Sequence, residues 1–210
     1  MKGLFITIEG NDGSGKSTVI ASLKKELSKL PIEVVYSREP GGSYVAEKIR
    51  EVILDVDNIA MDDKTEALLY AASRRQHLVE TVLPAVNEGK LVLCDRFIDS
   101  SLAYQGVARG LGVDEVYQMN QFATEGYLPD LTIFLLVDPE LGIKRKANQK
   151  ALDRLEMEKL AFHQKVYDGY LMLAKRFAGR VVVVDGNCSI EEECAKVNEI
   201  VISFIKERGI

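Results

Sequence analysis

The sequence predicts an α/β fold, a doubly wound five-stranded parallel sheet with helices on both faces. Five runs rich in Val, Ile and Leu alternate along the chain with segments of helical periodicity. Such nearly continuous apolar runs are typical of parallel strands that crossover helices bury on both faces. A glycine-rich segment follows the first run directly, as in the first strand-to-helix connection of nucleotide-binding sheets. The predicted strands are residues 4–9, 32–36, 91–94, 131–137 and 181–184.

The helices between the first three strands are bounded by recognisable end signals. Pro31 ends the first helix, and a short second helix begins near Ser43. Asp63 and Glu66 have the spacing of a capping box at the start of a long third helix, which ends before Gly89. Two helices are therefore expected between the second and third strands.

After the third strand the helical signals are less regular. A helix is expected to begin near residue 100 or 101, and the last helix begins where Ser189 and Glu192 have capping-box spacing. Following the fourth strand, residues 144–150 are polar and basic and carry no apolar stripe. This stretch is a candidate lid, which we place at about residues 142–156.

Length and composition predict one domain spanning residues 1–210. With 47% hydrophobic residues, the chain can bury a full core. A net charge of −5 gives no global positive field for nucleic acid or an anionic membrane, so neither is expected as a partner. The three cysteines lack metal-ligand spacing, and the chain has neither a signal-peptide pattern nor a run long enough to span a bilayer. These features predict a cytoplasmic protein.

The strongest motif is a phosphate-binding loop of the form G-x-x-x-x-G-K-S/T. It consists of Gly10, Asn11, Asp12, Gly13, Ser14, Gly15, Lys16, Ser17 and Thr18. Backbone amides of such a loop and of the following helix point at a polyphosphate. Lys16 supplies a positive charge for the outer phosphates, and Ser17 supplies a hydroxyl for magnesium. A glycine-rich turn before an ordinary helix is the alternative, and the strand-loop-helix context disfavours it.

Asp95 and Arg96 follow four apolar residues at the end of the third predicted strand. An acid delivered there beside a phosphate loop helps to hold magnesium, usually through water. Arg96 can clamp a phosphate in the same crevice. A turn-forming Asp is the alternative interpretation of position 95 when it is considered alone.

Three further sets of polar side chains end a strand or share a helix face. They are Arg38 before a Pro-Gly-Gly turn, Tyr70 with Arg74, and Ser101 with Tyr104 and Gln105. Each has an ordinary structural alternative, respectively a simple turn, a solvated arginine beside a core tyrosine, and an N-cap serine with a surface glutamine. Side chains four apart on a helix meet on one face, so each helical pair could also form one wall of a pocket.

With these motifs, the chain resembles the bacterial thymidylate kinases. The resemblance covers nearly the full length, through residues 9–18, 38–42, 68–77, 95–106, 153–156, 162–163 and 185–190. It implies transfer of the γ-phosphoryl group of ATP to dTMP with magnesium, giving dTDP, on a P-loop kinase fold with a short lid. It also implies a homodimer formed through helices of the α/β domain.

The roles that the resemblance implies fall on matching positions. Lys16 and Ser17 would serve ATP and magnesium, with Asp95 supporting the metal. The residues expected to bind dTMP are Asp12, Arg38, Arg50, Tyr70, Arg74, Arg96, Ser101, Tyr104 and Gln105. Among them, Asp12 would meet the sugar 3'-hydroxyl, Tyr70 would stack on thymine, and Tyr104 would crowd the sugar 2' position. Lys16, Arg96 and Asp12 are also expected to be catalytic.

The sequence departs from the family pattern in its supply of catalytic charge. Gly13 stands where another branch of the family carries an arginine, so the charge is expected to come from the lid. Lys150 and Arg154 are the predicted lid residues, ordered only when nucleotide binds. Arg145 and Lys146 are the alternatives within the same basic stretch.

Two other functions remain compatible with a phosphate loop on this fold. One is a kinase for a different nucleoside monophosphate, against which Arg74, Ser101 and Gln105 argue. The other is a nucleotide-dependent switch that binds without phosphorylating a small acceptor. Arg38, Arg96 and the lid charges have no clear role in that second model.

Overall fold

The computed structural model describes residues 2–146 and 153–209 and confirms the predicted fold class. Five parallel strands form one sheet in the order β2-β3-β1-β4-β5. The strands are β1 (Leu4–Gly10), β2 (Val34–Arg38), β3 (Leu91–Asp95), β4 (Leu131–Leu136) and β5 (Val181–Asp185). Because the strands are parallel, the loops after β1, β2 and β3 meet at one edge of the sheet.

Helices cover both faces of this sheet. They are α1 (Lys16–Leu27), α2 (Tyr44–Leu54), α3 (Asp63–His77), α4 (Leu83–Asn87), α5 (Ile98–Ser101), α6 (Val113–Thr124), α7 (Pro139–Lys146), α8 (Leu160–Arg176) and α9 (Ile190–Glu207). A π-helical turn, Leu78–Val82, joins α3 to α4, and a second, Leu102–Ala108, continues α5. Within the described ranges, none of the helices has the length and apolar character needed to cross a bilayer.

The central strand β1 is mostly apolar because it is buried on both faces of the sheet. All seven of its residues are buried, and successive side chains point to opposite faces of the sheet. Ile6 and Ile8 pack with residues of α1 and α9, whereas Phe5 packs with the opposite core beneath α8. A strand with one exposed face alternates apolar and polar residues, whereas a strand buried on both faces has a nearly continuous apolar run.

Several predicted boundaries are corrected by the structure. Strand β2 begins at Val34, two residues later than expected. The capping box predicted at Asp63 and Glu66 is wrong, because Asp62 is the N-cap of α3 and accepts from the next backbone amides. The capping box at the start of α9 is confirmed, with Ser189 as its N-cap.

Two helical regions were missed or shifted. Helix α6 was not predicted, and the helix expected near residue 100 or 101 begins at Ile98. The first part of the predicted lid is the end of α7. Residues 147–152, which include Lys150, lie outside the described residues.

Candidate functional site

A cavity of about 650 Å³ opens at the carboxyl edge of the sheet, between the phosphate loop and the loops after β2 and β3. Most of the predicted site residues line it, namely Asp12, Gly13, Ser14, Gly15, Lys16, Ser17, Thr18, Arg38, Arg50, Tyr70, Asp95, Arg96, Tyr104 and Gln105. Those that do not line it are Gly10, Asn11, Arg74, Ser101 and Arg154. The structure thus brings together residues as far apart in sequence as Asp12 and Gln105.

The backbone of the phosphate loop accepts hydrogen bonds from the loop's own lysine, Lys16. The Lys16 ammonium donates to the carbonyl oxygens of Gly10 (3.0 Å) and Asn11 (3.1 Å). The Asn11 side chain exchanges two hydrogen bonds with the backbone of Val137 at the end of β4, which explains why it is buried and not in the cavity. Burial and then the nearby Arg96 charge lower the pKa of Lys16 to about 8.

Asp12, Arg96 and Tyr104 form a hydrogen-bonded group at the centre of the cavity. Arg96 Nη2 donates to Asp12 Oδ1 (2.9 Å), and the Tyr104 hydroxyl donates to Asp12 Oδ2 (2.8 Å). Arg96 Nη1 also donates to the Gly10 carbonyl (2.9 Å) and so reaches the phosphate loop. Burial opposes the charge of Asp12, but Arg96 and Lys16 outweigh it and hold the pKa of this carboxyl below its ordinary value.

Arg96 holds this position through an unusual backbone conformation. Its φ of 69° is left-handed, which costs a non-glycine residue roughly 1–2 kcal/mol. The amide of Arg96 donates to Ile8 O (2.9 Å), and the buried Glu9 carboxylate accepts from the amides of Phe97 (2.7 Å) and Ser100 (3.2 Å). Burial, followed by repulsion from a nearby carboxylate, raises the pKa of Glu9 to about 7. Glu9 is a site residue that the motifs did not indicate, although an acid inside a mostly apolar strand was a signal for it.

The residues near Asp95 fit a magnesium ion. Asp95 Oδ1 is buried and accepts no hydrogen bond from the described residues, and the Ser17 side chain is exposed on the same cavity wall. Carboxylate and hydroxyl oxygens are the hard donors that magnesium prefers. Water and phosphate oxygens would complete the coordination of a magnesium ion held by these two side chains.

Two more guanidinium groups lie on the wall formed by the β2–α2 connection. Arg38 Nη2 is paired with Glu47 (3.0 Å), which also accepts from the Gly42 amide (2.8 Å). Arg50 Nη1 donates to the Pro40 carbonyl (2.7 Å). The turn after β2 is therefore tied to both arginines, to Arg38 through Glu47 and to Arg50 directly.

Arg74 and Ser101 lie behind the cavity wall. Arg74 is 1% exposed, so the solvated-arginine alternative is wrong. Its Nε donates to Glu39 (2.8 Å), one Nη2 hydrogen goes to the Phe97 carbonyl (3.0 Å), and Nη1 donates to Ser101 (3.1 Å) and to Asn120. Of its five N–H groups, one on Nη2 is left without an acceptor among the described residues.

Within the described part of the lid, the cations at the cavity are Arg145 and Lys146, and the predicted Lys150 lies outside the described residues. Arg145 and Lys146 line the cavity, and Arg145 Nη1 donates to Gly186 O (3.2 Å) beside the phosphate loop. Arg154 is instead buried against α3, where it pairs with Glu66 and donates to the Ile53 carbonyl (3.1 Å). The carboxylate that anchors Arg154 is far away in sequence, so residue spacing within the lid gave no signal for this pairing.

Helix α7 packs directly on the phosphate loop through two glycines. A Cβ at Gly142 would lie 2.3 Å from the Asp12 carbonyl oxygen, and a Cβ at Gly13 would lie 2.1 Å from the Gly142 carbonyl oxygen. Gly13 also has a left-handed φ of 75°, which side chains disfavour. The lid helix and the loop therefore fit together only because neither position carries a side chain.

The fold and the site together define a P-loop phosphotransferase. A phosphate loop at the carboxyl edge of a parallel sheet is the nucleotide site of this class. Guanidinium groups facing the loop supply the positive charge that a second phosphate-bearing substrate needs.

Comparison with known proteins narrows this class to one family. A family model described as thymidylate kinase matches residues 8–197. Thymidylate kinases of Clostridium novyi (strain NT) and Geobacillus sp. (strain WCH70) are 53% and 50% identical to this chain, over 98% and 99% of its length and 99% and 100% of theirs. The crystal structure of thymidylate kinase from Ehrlichia chaffeensis matches with a TM-score of 0.78 at 31% identity, covering 96% of this chain and 99% of that one. The chain belongs to the thymidylate kinase family.

Membership confirms the resemblance found in the motifs. The protein is an enzyme of nucleotide biosynthesis that phosphorylates dTMP. The alternatives of another nucleoside monophosphate kinase and of a non-catalytic switch are correspondingly disfavoured.

Proposed function

We propose that ATP binds in the phosphate loop, that dTMP binds against the arginine wall, and that the γ-phosphoryl group passes directly between them in line. The observation that carries this proposal is Arg96, which contacts the phosphate loop at Gly10 and the Asp12–Tyr104 pair in one cavity. The acceptor phosphate has a second pKa of about 6 and is already anionic, so no general base is required. The main task of the site is to offset repulsion between two polyanions.

Asp95 and Ser17 would hold the magnesium ion. Bound there, magnesium would compensate the charge on the donor phosphates. Asp95 lines the cavity, and its buried Oδ1 accepts no hydrogen bond from the residues that the structure describes, which supports this assignment. Asp12 would lie between metal and acceptor, where its low pKa keeps it ionised at neutral pH.

Base selection would rest on Tyr70 and Arg74. Tyr70 lines the cavity and offers a ring for stacking. The remaining Nη2 hydrogen of Arg74 would donate to thymine O4, with Ser101 positioning the guanidinium. Cytosine presents an amino donor at that place, and a buried donor that faces another donor leaves both unsatisfied.

We expect dUMP to be a poor but detectable substrate. Uracil keeps both hydrogen-bonding edges and lacks only the methyl group, which is worth roughly 1–3 kcal/mol in an apolar pocket. A coupled assay of ADP formation with dTMP, dUMP, dCMP and the ribonucleotide TMP would test both this ranking and the proposed pocket. Equal kcat/KM values for dUMP and dTMP would refute the pocket assignment.

Nucleotide affinity should depend on pH through Lys16. Its pKa of about 8 in the free enzyme is below the ordinary value, and phosphate oxygens favour the protonated form. Affinity for ADP should therefore stay level up to about pH 7.5 and fall as the pH rises through 8, by up to about tenfold per pH unit. Calorimetric titrations from pH 7 to 9.5 would measure this, and Lys16→Arg, which stays charged, should remove the slope. A level wild-type profile would contradict the prediction.

For the lid, Arg145 and Lys146 are our first candidates for the cations that reach the transferring phosphoryl group, because both line the cavity. Lys150 and Arg154 remain the prediction from sequence. Arg145→Ala should lower kcat by about 10²-fold, with a smaller effect of Arg154→Ala. The reverse order in single-turnover assays would restore the assignment from sequence.

A homodimer is proposed from the family resemblance and from apolar side chains on adjacent helices. Phe122 on α6 is 91% exposed and Leu68 on α3 is 59% exposed, and these two helices pack on each other. Sedimentation velocity showing a monomer at micromolar concentration would contradict this assembly. The three cysteines are free, which fits the proposed cytoplasmic location.

A further inference from the structure

Glu66 is a fully buried carboxylate that accepts hydrogen bonds from one side-chain amide and two guanidinium groups. Oε1 accepts from the Gln105 side-chain amide (2.8 Å) and from Arg109 Nε (3.4 Å). Oε2 accepts from Arg109 Nη2 (3.2 Å) and pairs with Arg154. Two guanidinium groups compensate the charge, so Glu66 is available to accept from Gln105 in its ionised form. The shorter of the two hydrogen bonds to Oε1 thus comes from Gln105, while Oε2 accepts only from guanidinium groups among the described residues.

This contact fixes the orientation of the Gln105 amide. An ionised carboxylate has no hydrogen to donate, so only Nε2 of Gln105 can face it. Gln105 is 1% exposed and lines the cavity, and its Oε1 accepts no hydrogen bond from the described residues. A glutamine that could otherwise present either a donor or an acceptor is therefore left with its acceptor for a ligand.

We propose that Glu66 determines which pyrimidine the enzyme accepts, by holding Gln105 so that its Oε1 faces the base. Glu66 itself does not line the cavity and acts as a positioning residue. The inference rests on the proposed binding of the base beside Tyr70 and Gln105.

The resulting pattern complements one base edge. Arg74 offers a donor and Gln105 an acceptor, which match the O4 acceptor and the N3–H donor of thymine. Cytosine has the opposite pattern, an amino donor and an N3 acceptor, so both contacts fail together. Without Glu66, the Gln105 amide is free to rotate and offer Nε2 to the cytosine N3.

The test compares kcat/KM for dTMP with that for 5-methyl-dCMP, which keeps the methyl group and changes only the hydrogen-bonding edge. In Glu66→Gln, the preference for dTMP should fall about tenfold or more, because the amide at position 66 can donate and release Gln105. Glu158→Gln is the matched control, since Glu158 also pairs with Arg109 (2.6 Å) but has no hydrogen bond to Gln105. Its preference should stay within about twofold of wild type.

A second pair of variants covers the case in which Glu66→Gln does not fold. Glu66→Gln/Arg154→Met removes one positive charge with the negative one, and Arg154→Met alone is its reference. The double variant should show the same loss of preference relative to that reference. Gln105→Leu should lose the preference on its own, and adding Glu66→Gln to it should change nothing further.

The outcomes separate this inference from the proposed site. If Gln105→Leu loses the preference while the Glu66 variants keep it, the role of Glu66 is overturned and the pocket stands. If Gln105→Leu keeps the wild-type preference, the placement of the base is wrong. If the wild-type enzyme forms no ADP with either nucleotide, the proposed function fails before either residue is tested.

Discussion

Arg96→Ala is expected to lower kcat/KM for dTMP by about 10³-fold or more. The guanidinium contacts the phosphate loop, Asp12 and Tyr104 at once, and removing a preorganised donor from a water-poor site alone costs about 10²–10³-fold. Its loss also removes the ion pair of Asp12, because Arg96 is the main group that lowers the pKa of this carboxyl. Steady-state assays at saturating ATP would measure the effect.

The control for Arg96 is an arginine outside the site. Arg176 on α8 pairs with the exposed Asp114 (2.7 Å), and exposed ion pairs contribute little. Arg176→Ala should keep kcat/KM within about twofold of wild type. A loss of less than tenfold in Arg96→Ala, with an unchanged thermal unfolding midpoint, would show that Arg96 does not bind the reacting phosphates.

Gly142→Ala is expected to lower kcat by about 10²-fold with a small effect on stability. The new methyl group would lie 2.3 Å from the Asp12 carbonyl oxygen, so α7 must move away from the phosphate loop. Arg145 and Lys146 lie on the same helix, and a shift of about 1 Å in catalytic groups can cost 10²-fold. A crystal structure and single-turnover rates would test both parts.

Gly179→Ala provides the matched control for this substitution. A Cβ at Gly179 meets no atom of the described residues within 4 Å, so the same chemical change is made there without a clash. Its kcat should equal that of wild type. Wild-type turnover in Gly142→Ala would show that the lid tolerates displacement and that its charges act from another position.

The fold could be predicted because a strand buried on both faces of a sheet has a continuous apolar run in its own sequence. The run from Leu4 to Ile8 is apolar since its alternate side chains enter two cores. The phosphate loop and the Asp95–Arg96 pair are also local motifs, and the structure places them in one cavity. Element ends were harder, because Asp62 and Asp63 are equally plausible caps until the amides they face are known.

The supporting residues could not be predicted because their partners are remote in sequence. Glu39 binds Arg74 and Glu66 binds Gln105, at separations of 35 and 39 residues. Each acid alone resembles an ordinary surface residue, and only the packing of α3 against neighbouring elements makes it a buried hydrogen-bond acceptor. The position of Arg154 could not be predicted for the same reason, because it pairs with the remote Glu66.

The contact between Gly13 and Gly142 limits how an enzyme of this kind can diverge. An arginine introduced at position 13 alone would require a left-handed backbone and would occupy the space of the Gly142 carbonyl. The catalytic charge could therefore not migrate from lid to loop by one tolerated substitution. To move the charge from the lid to the loop, positions 13 and 142 would have to change together. A variant with only the first change would carry the clash and not yet the compensating change.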